Sequence, residues 1–370
     1  MLCQTPPTAK VGWYAKPVEQ GDPDNPELRM EVPLRPSREI LVVAIFVLFT
    51  SLSFFLIQYD RMRTQGPALD AWVGGVVHGI VPAPIQYRIA LPFLLRSIQM
   101  HTHISVRQSL PFIESVAYLL ALSLMYAIFR SSPRVEEARP AQRFVMLGLF
   151  LAATQFPILW IFPWDRPETQ PTALYLTALV LLVAGRSKTG FGPACLWAVA
   201  LSLTQALLRA DVPIIAGVAV VLAAAISTPS PRTRLQMAAL GLLCVLAGGA
   251  TQLYLQRVAY PAAAYPADTP RFQLLTNLNP IHPPFHIPIF LTALLPLAFS
   301  VILIRVHRLP IEPVDKLVLL VCGLYLPVWV VTGLVVEVRI YVPFLFLASP
   351  TIAKVWGAYL LGDGGGSRVL

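Results

Sequence analysis

The chain consists largely of apolar blocks, most of them close to the ~20 residues that cross the hydrocarbon core of a bilayer as a helix. They run over 39–58, 109–130, 144–163, 171–185, 190–208, 212–228, 235–254, 286–305, 317–336 and 340–361. Backbone groups in lipid must be satisfied internally, so continuous blocks of this length predict helices. A membrane β-barrel would instead show shorter segments of alternating polarity. Only 13% of the 370 residues are charged, about half of what a water-facing surface requires. The expected fold is all-α: a polytopic integral membrane helical bundle of about ten transmembrane helices, occupying 39–361. Residues 1–38, rich in proline and mixed charge, and 362–370 read as flexible tails.

Basic residues set the orientation. With the N-terminus in the cytoplasm and ten crossings, every loop on the inner side carries at least two Lys or Arg, as the positive-inside rule requires. Both termini are then cytoplasmic. The net charge of +9 reflects these topology-setting residues, and no basic tract of the kind that grips nucleic acid is present. The partner that composition implies is the lipid bilayer.

The inner loops RSSPRVEEARPAQR, GRSKTG, STPSPRTR and RVHRLPIEPVDK are plain. The outer side differs. It holds a long first loop (59–108) with RIALPFLLRSI at 88–98, a stretch too short to cross and suited to an interfacial helix. It also holds FPWDRPETQP at 162–171, LLRADVP at 207–213, a second long loop (255–285), and VEVRIYVP at 336–343. Three of these turns pair an acid with an arginine: Asp165 with Arg166, Arg209 with Asp211, and Glu337 with Arg339. In YRIALP, Tyr87 and Arg88 open the interfacial stretch. Guanidinium groups bind phosphate through two parallel hydrogen bonds. Carboxylates serve as proton acceptors or hold a divalent cation. The competing outcome is that acid and arginine pair with each other and lock loop to loop. Glu114, Thr154, Gln155, Thr204, Gln205, Thr251 and Gln252 fall toward the same side of their blocks. Polar groups at shared depth point to a polar cavity or to bonds with neighbouring helices. The histidines of HTHIS and HPPFH lack the spacing and context of a zinc site.

This layout resembles the GT-C class of integral membrane glycosyltransferases. About ten spans, a long first external loop with an interfacial helix, and a carboxylate (Asp60) directly after the first span carry the likeness, with YRIALP and VEVRIYVP. The resemblance implies transfer of a sugar from a polyprenyl-phosphate carrier at the outer face of a bacterial inner membrane. Of the residues it implies a catalytic carboxylate at Asp60; within that reading Asp60 or Asp165 accepts the proton, and Arg88 and Arg339, with help from Arg166 or Arg209, hold the carrier phosphate, with Tyr87 and Glu337 as further candidates. A divalent cation is a candidate cofactor. The alternatives are a polysaccharide polymerase or ligase, and a non-catalytic flippase or solute transporter.

Overall fold

A computed structural model of the chain describes residues 36–160, 168–227, 230–263, 273, 274, 277, 286–332 and 337–362. Twelve α-helices carry the described fold: α1 (Pro36–Val77), α2 (Ala90–Thr102), α3 (Val106–Arg130), α4 (Pro133–Glu136), α5 (Pro140–Gln155), α6 (Thr169–Thr189), α7 (Phe191–Arg209), α8 (Asp211–Ser227), α9 (Pro231–Tyr254), α10 (His286–His307), α11 (Pro313–Thr332) and α12 (Val342–Leu360). Among the described residues, seven helical stretches are long and apolar enough to cross a membrane: Glu39–Met62, Val106–Arg130, Pro140–Ile158, Phe191–Arg209, Pro231–Ala259, Pro288–His307 and Pro313–Thr332. Thr169–Gly185 and Asp211–Ile226 are shorter apolar helices. The chain is a multi-pass, all-helical membrane protein. Below, the end of the bundle where α1 begins is called proximal and the opposite end distal.

Local sequence explains the helix starts. Prolines occupy the first turn of α5 and α9, where a missing N–H costs nothing. At the start of α3, the Gln108 side chain accepts a hydrogen bond from the Ser105 backbone N–H at 3.2 Å, one half of a capping box.

In one place the chain is more helical than its hydropathy suggests. The apolar run ends near residue 58, but α1 continues through Asp60 and past Pro67 to Val77. Its 42 residues span about 63 Å at ~1.5 Å per residue, roughly twice a bilayer core. The distal half is held by packing. Met62, Leu69 and Val73 bury against Leu91 and Leu95 of α2, Val106 and Leu110 of α3, and Leu208 of α7. Their spacing of seven and four is the stripe of an amphipathic helix. The segment expected as the start of an open loop is therefore a helical shelf, and the short stretch at 88–98 is α2 lying against it.

α12 sits at the centre, packed against α3, α5, α6, α10 and α11. All its residues from Val342 to Val355 are buried. At the proximal end its Lys354, 1% exposed, meets Glu312 at 3.0 Å and Asp315 at 2.7 Å. Thr351 donates to Asp315 at 2.7 Å, and Ser132 donates to Glu312. The plain-looking loop RVHRLPIEPVDK thus supplies both counter-charges of a buried ammonium. A second proximal cluster forms around Glu39, which accepts a hydrogen bond from Tyr126 at 2.9 Å and pairs with Arg130 at 3.5 Å and Arg143 at 3.9 Å. It ties α1, α3 and α5 together.

α8 and α9 approach each other closely at two glycines. A Cβ on Gly217 would stand 2.5 Å from the Gly241 carbonyl oxygen, and one on Gly241 equally close to the Gly217 oxygen. Without a hydrophobic force between helices in lipid, such small residues let backbones touch and gain dispersion and weak polar contacts.

Gly217→Val is expected to force α8 and α9 apart at a cost of ~1–3 kcal/mol, the usual range for overpacking, read as a lower thermal midpoint in detergent. Gly249→Val, with nothing within 4 Å of its Cβ position, is the control expected to leave the midpoint in place. Equal effects of the two would sink the close-packing account. A second expectation concerns acid. Burial raises the Glu312 pKa, but Lys354 and the Ser132 hydroxyl outweigh it and hold the carboxyl below its ordinary 4.5. A depressed folded-state pKa contributes stability above the unfolded-state value, and that stability is lost as pH falls through the folded-state value. Glu312→Gln should therefore unfold with a flatter pH dependence below about pH 4.5, measured by thermal scans against pH.

Candidate functional site

Two bonds fix how α6 lies against α7. The Gln205 amide donates to Thr172 Oγ1 at 2.9 Å, and the Tyr175 and Ser202 hydroxyls meet at 3.1 Å. The two helices are antiparallel in this register. One turn further toward the distal end, the same register brings Glu168 level with Arg209.

Both residues are engaged there. Arg88, in the turn before α2, forms an ion pair with Glu168, their side chains 21% and 6% exposed. Arg209 is 8% exposed and donates to Asp211 at 2.8 Å and to the Tyr325 hydroxyl. Its guanidinium stands 5.4 Å from the Tyr325 ring centroid and reaches the Ile340 carbonyl at 3.4 Å. Tyr325 in turn donates to Asp211 at 2.7 Å. The turns 85–89, 168–172, 205–211 and 337–341 therefore meet at one end of the bundle. Tyr87, buried, donates to the Ala263 carbonyl at 3.0 Å and draws the segment after α9 to the same end.

Arg209 and Asp211 thus pair with each other, and Arg88 pairs with Glu168 at the same end. Asp211 differs from Glu168 in accessibility. Its side chain is 40% exposed despite two donors, while Glu168 is 6% exposed. Beneath them, Gln170 is fully buried, and neither its amide oxygen nor its nitrogen has a hydrogen-bond partner. The amide oxygen of Gln205 is likewise buried and unpaired. An unpartnered buried amide costs a few kcal/mol, so these groups mark an end of the bundle that is not optimised for stability alone.

The other sequence candidates fall as follows. Asp60 is exposed on α1, half a turn around the helix from buried Gln58 and Met62. Asp165 and Arg166 lie outside the described residues, as does the Arg339 side chain. Glu337, half-buried, immediately precedes the 3-10 turn Val338–Ile340. Asp70 is paired with Arg107 at 2.9 Å, bridging the α1 shelf to α3. Among the described residues no three His, Cys, Asp or Glu side chains group as metal ligands. Tyr325 and Gln170 escaped the sequence reading. Tyr325 sits in an unremarkable apolar run. Gln170 was discernible only as an amide two residues after the acid of WDRPE.

No protein-family model matches the chain, and no curated protein or solved structure matches it. Its functional reading therefore rests on this geometry and on the sequence.

If Arg209, Asp211 and Tyr325 act as one network, Tyr325→Phe and Asp211→Asn will be non-additive, with a coupling of ~0.5–3 kcal/mol in a double-mutant cycle. Thermal or denaturant unfolding in detergent measures it. Additive losses would show that the three side chains merely adjoin.

Proposed function

We propose that the protein is a membrane-embedded transferase that moves a sugar from a polyprenyl-phosphate carrier at the distal end of the bundle. That end faces outward if the chain crosses ten times with both termini inside. The observation that carries the reading is the level placement of Arg88 and Arg209, each pre-oriented by a carboxylate, beside a reachable acid. A guanidinium held by a carboxylate keeps unused N–H donors for a phosphate and cannot swing away.

In the proposed reaction the bond between the sugar's anomeric carbon and the carrier phosphate oxygen breaks, and the electron pair stays on that oxygen. Negative charge grows on the leaving phosphate, where fixed guanidinium donors stabilise it without reorganisation. The acceptor hydroxyl forms the new bond to the anomeric carbon, and its proton passes to a carboxylate. Asp211 suits that role: it is the accessible acid of the cluster and is oriented by Arg209 and Tyr325. The resemblance assigns the same role to Asp60, and the sequence reading offers Asp165 as an alternative. A divalent cation would sit with the leaving phosphate as a further counter-charge.

The test uses the full chain in lipid nanodiscs with polyprenyl-phosphate sugars. Asp211→Asn should lower turnover ~10²–10⁴-fold, the usual worth of a positioned base, while carrier binding is kept. Arg88→Ala and Arg209→Ala should each weaken carrier binding. If both bind polyprenyl phosphates as the wild type does, the phosphate site is wrong. Movement of solute across sealed vesicles without any sugar transfer would replace the transferase with a carrier.

A further inference from the structure

The Glu39 cluster at the proximal end differs from the other ion pairs in its charge balance. Asp70 with Arg107, Glu168 with Arg88 and Asp211 with Arg209 are one-to-one. Lys354 faces two carboxylates. Glu39, 3% exposed, is the reverse case: one carboxylate faces the two guanidiniums of Arg130 and Arg143, which leaves one positive charge in excess. The nearby turn does not cancel it, because Arg134 and Arg139 there are balanced by Glu136 and Glu137.

The geometry is loose in the same sense. Arg130 Nε stands 3.5 Å from one Glu39 oxygen and Arg143 Nη1 3.9 Å from the other, beyond the ~2.7–3.2 Å of an ordinary N–H···O bond. The close partner of the carboxylate is the Tyr126 hydroxyl, at 2.9 Å. Arg143 is nevertheless fixed. Its Nε donates to the Val135 carbonyl at 3.1 Å and its Nη2 to the Glu136 carbonyl at 2.7 Å, and neither acceptor carries a charge. Arg130, whose side chain is 33% exposed, lies beside the Tyr126 hydroxyl. A guanidinium has five N–H donors, so the two arginines offer more donors than one carboxylate and two carbonyls can use.

Position selects the ligand. Glu39 opens one membrane-crossing stretch, Arg130 closes another, and Arg143 sits in the first turns of a third. Helix ends of this kind stand at the level of the lipid headgroups. The residues next in sequence turn apolar groups outward: Ile40 and Leu41 are each 58% exposed and Phe144 60%, as surfaces that meet acyl chains are. A half-exposed positive charge at that level, with two-pronged donors, suits a phosphate group.

We propose that Arg130 and Arg143, spaced by Glu39 and Tyr126, form a binding site for an anionic phosphate group at the proximal membrane boundary, carried by a phospholipid headgroup or by a soluble phosphate. It lies at the opposite end of the bundle from the distal arginines and does not depend on the transferase reading.

The full chain, purified in detergent, is unfolded thermally with added phosphatidylglycerol, phosphatidylcholine or inorganic phosphate at matched ionic strength. The midpoint should rise saturably with phosphatidylglycerol and not with phosphatidylcholine. A rise with phosphatidylglycerol alone assigns the site to a lipid, and a rise with inorganic phosphate as well assigns it to the phosphate itself. Arg130→Gln should need about tenfold more ligand for the same rise, the usual worth of one charge-assisted hydrogen bond. If that variant does not fold, Arg130→Lys, which lacks the two-pronged geometry, carries the test with a loss in the same direction. Glu39→Gln removes the competing negative charge and should respond at lower ligand concentration, a gain that a purely structural ion cluster does not predict. Arg305→Gln, at an exposed arginine of the same end, should respond as the wild type does. Equal responses to the two lipids without a response to phosphate, a wild-type response in the Arg130 variant, or an equal loss in Arg305→Gln would overturn the proposal and leave only diffuse attraction to the membrane surface.

Discussion

A lysine ammonium at 1% exposure, on a helix walled in by five others, governs how this bundle closes. Burying a charge is tolerable only when it is paired and hydrogen-bonded. Lys354 meets that condition with two carboxylates contributed from the start of α11 and the residues before it. α12 can therefore be less apolar than its lipid-facing neighbours, because its surroundings are protein. Serine, threonine, proline and lysine are all admitted along it. The more lipid-facing α1 shows the opposite pattern: Leu48, Phe49 and Leu52 are each more than half exposed, and its span is the most hydrophobic of the seven.

How much of this was legible in the sequence follows from the same contrast. Helices that meet lipid announce themselves by hydropathy, and those blocks coincide with helices in the structure. The central helix was marked as well, as the block 340–361, but the partners of Lys354 were invisible, because Glu312 and Asp315 read as part of a plain loop. The length of α1 was missed for a related reason. Beyond residue 58 it leaves the apolar regime, and its stripe of Met62, Leu69 and Val73 is an amphipathic signal that hydropathy does not register. The acid–arginine turns were legible as chemistry, but their partners were not. Arg88 pairs with Glu168, eighty positions away, and only the α6–α7 register shows that this pair stands level with Arg209.

The distal end combines two tendencies that usually exclude each other. Its ion pairs lock turns together, as structural pairs do. The Gln170 amide and the amide oxygen of Gln205 go unsatisfied, as they would not in a bundle selected for stability alone. Rigid charge beside unmet polar capacity is how a protein prepares a site before its ligand arrives, since donors fixed in advance cost no reorganisation when charge develops.

Glu39 also acts as the zero of a ruler. Three helices take their vertical position from one carboxylate, and anything they share at depth is calibrated against it. Adding a single residue to α1 between Glu39 and Ser51 would leave composition and hydropathy almost unchanged. Yet it would lift Ser51 by ~1.5 Å and swing it ~100° around the helix. The tolerance of this membrane core to insertions is therefore far smaller than its tolerance to substitutions among apolar residues.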